Sequence, residues 1–547
     1  MGLLIKTRPK ILFLSYQYYT KTNLIQINIM QTNLSLLLLA LTFSACAQTQ
    51  PIADFISIPP TLQTQGLVLP STHAFQVLAR EGMTIANGVL AGSPDFTAFV
   101  PIQNSSTHGY LSLNHETTPG GMTVFDANYN QNTKLWSLTN AVPIAFPVPT
   151  QRNCSGAVTA WGTVISGEEI LNSSDTNGDG WNDAGWLVEI NPATKQFVRK
   201  IYAAGWCAHE NAVVANDERT IYTGSDSDTL GYLYKFVSDA PRVFTTGSLY
   251  VLRLTQNGAG EWVQLPNTTQ NDLNHTTQNA YAAHATNISG IEDVEIGADG
   301  KIYLAAKYSG QVYNFVDNGL TVSNYSTFVQ KRVYNLNTTD LVQSADWGIG
   351  NDNLAFDGEQ NLWILQDGTN NYIWVAKADH SPTLPHIELF ATVPYGAEPT
   401  GITFSPDKRF LFMSIQHPNA LNTAVQIDAA GDNVIFNTSM TIVIARKEHL
   451  GATVDTGGII APNTGEFARL INNGNSTKGR FLEINKPING TALTYLTVFN
   501  FDGTLVERQT LGMLPQGRHL FALDRYKNNV ILKIEDEQGV KVFKLAE

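Results

Sequence analysis

The sequence predicts an all-β chain, a β-propeller of about six blades followed by a small C-terminal β-sandwich. Three observations lead there. Several segments repeat one pattern, a short alternating strand, an Asp/Gly turn and a second strand rich in aliphatic and aromatic residues. No long segment keeps a helical 3.6-residue period. The composition is turn-rich, with 43 glycines and 23 prolines in 547 residues. Hydrophobic residues at 43% and charged residues at only 15% exclude wholesale disorder and coiled coil. Against 34 Lys and Arg stand 47 Asp and Glu, a formal net charge of −13. That balance excludes a nucleic-acid or anionic-membrane surface and points to cation binding.

At the amino-terminal end, residues 1–47 read as an upstream extension and a signal peptide, with Met30 as the expected initiator. Leu34 to Phe43 is an apolar stretch too short to span a bilayer, and Ser44-Ala45-Cys46-Ala47 supplies small residues for cleavage. Phe43-Ser44-Ala45-Cys46 also approximates a lipobox. Both processing routes stay open, and either gives an exported protein without a membrane-spanning helix, extracellular, periplasmic or held at the outer-membrane surface. Downstream of the leader Cys154 and Cys207 remain, either paired or free.

The repeated hairpins are Val213 to Ser225 (VVANDERTIYTGS), Val294 to Ala306 (VEIGADGKIYLAA), Leu354 to Asp367 (LAFDGEQNLWILQD) and Ile402 to Ile415 (ITFSPDKRFLFMSI). Tyr222, Tyr303, Trp363 and Phe412 fall at the same place in each, at uneven intervals. Irregular four-stranded blades with variable loops give such spacing, and the propeller is placed at 65–455, with a β-sandwich as the rival architecture. Residues 456–478 turn to Gly, Asn, Thr and Pro and read as a linker. Residues 479–547 contain YLTVFNF, VILKI and VKVFKL and read as the small β-sandwich.

The chemistry-bearing residues precede the hairpins. Cys154 is followed by Glu168 and Glu169 within NCSGAVTAWGTVISGEE. A thiolate suits a transition metal, and adjacent carboxylates suit hard cations such as calcium or ferric iron. Alternating side chains face opposite ways, so both glutamates reach one site only if the strand ends there. His209-Glu210, Glu292-Asp293 and Asp352-Asn353 each lie just before a hairpin, and Asn114-His115-Glu116, Glu398 and Gln416-His417-Pro418 occupy comparable places. Equivalent ends of successive blades converge on a propeller axis, where such carboxylates repel one another unless cations bind. Separately, Asp175, Asn177, Asp179 and Asp183 place oxygens at positions 1, 3, 5 and 9 of a loop with Gly180 at position 6, as in a calcium loop, while Trp186 at position 12 leaves it short of an EF-hand.

In order, NHE, NCSGAVTAWGTVISGEE, GWLVEINP, HENAVV, GYLYKFVS, the Glu292 segment, NDNLAFDGEQNLWI and EPTGITFSPDKRFLFMSIQHP resemble the PhoX family of bacterial alkaline phosphatases, from about residue 75 to 420. The resemblance implies an exported six-bladed propeller that hydrolyses phosphomonoesters with a cluster of ferric iron and calcium. It implies that Cys154 binds iron and that Glu168, Glu169, Glu210 and Glu292 are cluster carboxylates, with Asp352 and Glu398 beside them. The implied catalytic set is Cys154, Glu168, Glu169, Glu210 and Glu292. Its partner is a small phosphomonoester, and a monomer is expected.

Three positions depart from the family. Gly290 stands where a phosphate-holding arginine is expected two residues before Glu292; Gly205-Trp206-Cys207-Ala208-His209-Glu210 puts an aromatic residue where a cation is expected; Gly167 replaces a second cysteine. Arg152 or Lys235 is left to supply the missing charge. Two other functions stay open: a surface propeller that binds calcium without catalysis, for which Gly290 speaks, and a calcium-dependent lactonase, since NDNLAFDGEQNLWI also resembles gluconolactonase-like hairpins. The closing stretch, NFDGTLV, LPQGRHLFAL and EDEQGVKVFKLAE, resembles the C-terminal sorting domains of type IX secretion in Bacteroidetes, which implies a contact with that export machinery; an accessory β-domain is the alternative.

Overall fold

The computed structural model describes residues 50–338 and 342–451 and, towards the C-terminus, 468–472, 480–486, 493–500, 504–512, 517–522, 530–536 and 539–545. The leader, Cys46 and most of the expected linker lie outside the described residues.

Six four-stranded antiparallel blades follow one another along the chain, the third and fourth joined in one nine-stranded sheet. Their innermost strands are Pro94–Pro101, Asn153–Val158, His209–Val214, Ile291–Ile296, Asn351–Phe356 and Glu398–Phe404. Each touches the next, and the sixth touches the first, so the strands close a ring. The ring is the inner wall of a six-bladed propeller. The sixth blade is completed by the N-terminal strand His73–Arg80, which pairs antiparallel with Met440–Arg446 from His73 opposite Arg446 to Arg80 opposite Met440. Joining the two ends of the fold in one sheet closes the circle without leaving an open blade.

Each blade buries its two faces against its neighbours, and six apolar clusters fill the six interfaces. The repeated aromatics do this work. Tyr222 packs towards the fourth blade, Tyr303 towards the fifth, Trp363 towards the sixth and Phe412 towards the first. A fully buried side chain of this size contributes about 1.5–3 kcal/mol, which explains why the hairpin pattern is the strongest signal in the sequence. Blades three and four share one further connection: the strand Gly260–Gln264 pairs with Thr321–Val329. Two short helices, Gln270–Asn274 and Thr276–Ala282, follow that strand, the first capped by Thr269 and Asp272 in a capping box.

All six inner strands carry an irregular step in their pairing to the second strand, between Pro94 and Thr97, Asn153 and Gly156, His209 and Ala212, Ile291 and Asp293, Asn351 and Leu354, and Thr400 and Thr403. An extra residue on one strand breaks the alternation and re-aims side chains. In this chain it lets consecutive polar residues, such as Glu210-Asn211 and Asp352-Asn353, both be buried at the axis.

The C-terminal part forms a three-stranded sheet, Ala468–Asn472 with Arg480–Lys486 and Gly517–Ala522, and a four-stranded sheet of Thr494–Asn500, Leu505–Gly512, Val530–Asp536 and Gly539–Leu545. Leu496, Val498, Leu532 and Ile534 are buried at alternate positions. The strand Ala468–Asn472 corrects the expected linker of 456–478: ARLIN pairs in register with Arg480–Lys486, so the β-structure begins earlier than its polar surroundings suggest.

Candidate metal centre

The first residues of the inner strands meet in a pocket of about 370 Å³. Cys154, Glu210, Glu292, Asp352 and Glu398 come from five blades, Asp95 comes from the first, and Glu169 follows the second strand of blade two. Glu116 and Asp367, each just beyond a second strand, complete the lining carboxylates, eight in all, beside one thiol. Two permanent cations, Arg152 and Lys307, face them.

The geometry is close-packed. Cys154 Sγ donates to Glu210 Oε1 at 3.0 Å. Arg152 lies 2.9 Å from Glu116 and 3.7 Å from Glu169. Lys307 lies 3.3 Å from Glu292 and 3.2 Å from Asp367. His417 Nε2 lies 3.2 Å from Glu398 Oε1, and Gln416 Nε2 donates to Glu116 at 2.9 Å. Four groups of three donors each fall within 4.8 Å of one another: Asp95, Glu116 and Cys154; Glu116, Glu398 and His417; Cys154, Glu169 and Glu210; Glu210, Asp226 and Glu292.

Burial and mutual repulsion dominate the electrostatics. Burial, then the neighbouring carboxylates, push Asp95, Glu210 and the Cys154 thiol well above their ordinary values. For Glu292 and Asp352 burial is again the largest cause, and it outweighs the opposing pull of Lys307. Glu169 is raised to about 8 by burial and Glu116, and Glu398 to about 7, chiefly by burial. One guanidinium and one ammonium cannot balance eight carboxylates in a low-dielectric pocket. Buried oxygens of Asp95 and Asp226 also lack a hydrogen-bond donor. Hard oxygen donors, one soft sulfur and unsatisfied buried oxygens fit a cluster of multivalent cations.

Glu168 is a correction to the sequence reading. Its carboxylate is 0% exposed and turned away from the pocket. It accepts from the backbone amides of Gln151, Gly185 and Trp186 and from Lys200 Nζ at 3.0 Å. Although the strand Val164–Glu168 ends at this residue, the alternation carries on one position further: Glu169 lines the pocket while Glu168 is turned to the other side. Asp175, Asn177, Asp179 and Asp183 lie together in one loop, the first three exposed. Both Asp175 oxygens accept loop amides, from Asp179 and Gly180, and Asp183 accepts from Thr176. Among the described residues the three loop carboxylates form no donor group within 4.8 Å. The loop is pinned to the helical insertion, through Gln270 to Asp179 and Asn274 to Gly180.

His115 and His209 are structural. Each is buried, hydrogen-bonded to a backbone carbonyl, and lowered to about 4 by burial. Cys207 is a free buried thiol, as is Cys154. Lys235 lies elsewhere, 2.5 Å from Asp317, so Arg152 is the one of the two candidate cations that reaches the pocket. Gly290 explains itself locally. Its φ is +64°, and a Cβ there would meet the Tyr308 ring at 2.7 Å and Lys307 at 3.0 Å. The space an arginine would need holds the segment that carries Lys307.

Sequence reasoning missed Asp95, Asp226, Lys307 and the pocket role of Asp367. Asp367 closes a recognised hairpin; Asp95 lies in the one inner strand with no recognisable repeat hairpin or acidic pair beside it.

A family model described as alkaline phosphatase PhoX matches residues 147–419, from the approach to the second blade to the end of the second strand of the sixth. No curated protein matches the chain. Among solved structures, PhoX of Pseudomonas fluorescens in complex with vanadate, a transition state analogue, aligns with a TM-score of 0.58 at 20% identity, over 72% of this chain and 98% of that one. A protein described as a putative gluconolactonase aligns at a TM-score of 0.35 and 11% identity, over 71% and 98%. An inactive virginiamycin B lyase from Staphylococcus aureus aligns at 0.35 and 10%, over 68% and 99%. With its closed ring of six blades and the ordered motifs of residues 147–419, the propeller of this chain belongs to the PhoX family of alkaline phosphatases.

Proposed function

We propose that the chain is an exported metal-dependent phosphatase that hydrolyses small phosphomonoesters in the axial acid pocket, with calcium and ferric iron as its cations. The observation that carries this reading is the convergence of eight carboxylates and the Cys154 thiol in one cavity. Cys154, Glu169, Glu210 and Glu292 are the residues suited to hold the cations, with Asp95, Glu116, Asp352 and Glu398 around them. When bound, such cations supply Lewis acidity towards phosphoryl oxygens and a nucleophile at neutral to alkaline pH.

The protein's own side chains have three tasks. The carboxylates fix positive charge where an anionic substrate must come, which reconciles the −13 net charge with a phosphate ester. Arg152, 43% exposed at its side chain, stands at the mouth and presents a guanidinium to the phosphate. Lys307 comes from a different blade and adds a second charge beside Glu292. His417 Nε2 holds a proton against Glu398 Oε1, and that hydrogen bond raises the imidazole above its ordinary value.

The test is hydrolysis of p-nitrophenyl phosphate by the mature protein with calcium and iron, with vanadate as inhibitor, and after chelation. Metal-dependent turnover supports the reading; a protein that binds metal without turnover refutes it. The second outcome would favour a non-catalytic calcium-binding propeller, the reading that Gly290 supports. A lactonase is disfavoured by the Cys154 thiol among the carboxylates, and the same preparation tested on a simple lactone separates it. Export and a sorting role for the C-terminal sheets rest on the sequence of the leader and tail; the mature termini, read by mass spectrometry, test both.

A further inference from the structure

The inner strands begin at the acid pocket and end at a second chamber of about 460 Å³. That size lies within the range of small-molecule sites, about 300–1,000 Å³. No residue lines both cavities. Between them lies a polar floor made by Ser155, Asn211, Asp293 and Asn353, each one position after a residue of the acid pocket. Asn211 Nδ2 donates to Asp293 Oδ1 at 2.5 Å and the Leu354 amide donates to Asp293 Oδ2 at 2.7 Å. Asn353 donates to Ser155 Oγ at 3.2 Å and accepts from the Gly401 amide. One oxygen in this network has no donor, Oδ1 of Asn211, a residue only 2% exposed that lines the chamber. An unmet buried acceptor costs about 1–3 kcal/mol unless something donates to it.

The chamber walls are aromatic, with Phe96, Phe99, Phe356 and Phe404. Its charge is acidic: Asp293 and Glu295, two positions apart on one strand, against Lys408. The Lys408 ammonium donates to the Phe356 carbonyl at 3.3 Å and stands 5.3 Å from the centre of the Phe404 ring. The chamber therefore already seats one ammonium over an aromatic face and presents two acidic side chains and an unmet acceptor.

We propose that this chamber binds a small primary organic ammonium, whose N–H groups meet Asn211 Oδ1 and Glu295 and whose apolar body lies against the phenylalanines. An anion meets two acidic side chains where it would need donors. A neutral isostere buries the same apolar area without charge pairing or cation–π attraction. An inorganic cation gains nothing from the aromatic walls beyond their faces.

The experiment titrates the metal-loaded full-length mature protein with benzylammonium, benzyl alcohol and benzoate, following heat of binding and melting temperature. Saturable binding of benzylammonium at least tenfold tighter than either isostere is expected. Glu295→Gln should weaken it at least tenfold, and Ala157→Trp, which fills the chamber, should abolish it, with circular dichroism checking that both fold. Equal binding of the three probes overturns the proposal, as does unchanged affinity in Glu295→Gln. Ammonium binding that survives in a folded Ala157→Trp places the amine in the acid pocket and also overturns it. The readout is binding, so the result stands whether or not the phosphatase reading survives.

Discussion

Cys154 of the second blade donates its Sγ proton to Glu210 Oε1 of the third across 3.0 Å, in a pocket where both side chains are buried. Under the proposed function such a pair would take up one cation in exchange for this proton, because metal binding requires the thiolate. Burial and the acids around it keep that proton on sulfur in the absence of cations.

Replacing Cys154 by serine therefore removes the pocket's only soft donor. The expected outcome is loss of bound iron and of its visible absorption, with calcium less affected, as measured by elemental analysis and spectroscopy of the purified protein. Full iron stoichiometry in the variant would count against a ligand role.

Chelated protein should become less stable as pH rises. Glu169 at about 8 and Glu398 at about 7 both lie above the ordinary value of 4.5. These two carboxyls, with Asp95, Glu210, Glu292 and Asp352 raised as well, outnumber the buried His73, His115 and His209 lowered to about 4. Between 4.5 and about 8 the folded chain therefore holds more protons than the unfolded one, and unfolding free energy falls with rising pH. Thermal melts at pH 5, 6.5 and 8 in chelator should show decreasing melting temperature, and calcium with iron should flatten the trend. A melting temperature that climbs with pH in chelator would refute this.

Lys200→Met tests the assignment of Glu168 to the framework. The change leaves a buried carboxylate without its cation, a loss of about 3–5 kcal/mol by analogy with broken buried pairs. Denaturant unfolding should show that loss, while metal content per folded molecule stays that of the parent. A variant that loses metal but keeps its stability would restore Glu168 to the cluster.

Arg152→Gln should raise KM for p-nitrophenyl phosphate by about tenfold, or ~1.4 kcal/mol of lost anion binding, with kcat changed less. Steady-state kinetics together with metal analysis checks this. An unchanged KM would assign the phosphate to Lys307 alone.

Gly290→Ala should destabilise the fold by about 1 kcal/mol or more, because the left-handed backbone and the Tyr308 ring both oppose a side chain. Gly290→Ala combined with Tyr308→Ala should lose less than the sum of the single changes. Strict additivity in denaturant unfolding would show that the two residues do not crowd each other.

Much of this was legible without coordinates. The period-two hairpins and their aromatic residues specify strands that must bury both faces, and stacked blades are the arrangement that does so. Cys154, Glu169, Glu210, Glu292, Asp352 and Glu398 were visible because each stands at the start of a hairpin or beside another acid. Glu168 and Glu169, by contrast, are indistinguishable in sequence. Their separation depends on where one strand stops, and that follows from the Lys200 ammonium and three amides waiting on the far side.

The sequence by itself determined an all-β propeller and an acidic, thiol-bearing set of positions, because hydrophobic alternation and hairpin chemistry are local properties. Tertiary structure alone decided that Asp95, Lys307 and Asp367 join that set, that Lys235 does not, and that a side chain at Gly290 would crowd Tyr308 and Lys307. These are outcomes of closing a ring, which brings residues from six blades within a few ångströms of one axis, and of the bulge in each inner strand that selects which neighbour faces it.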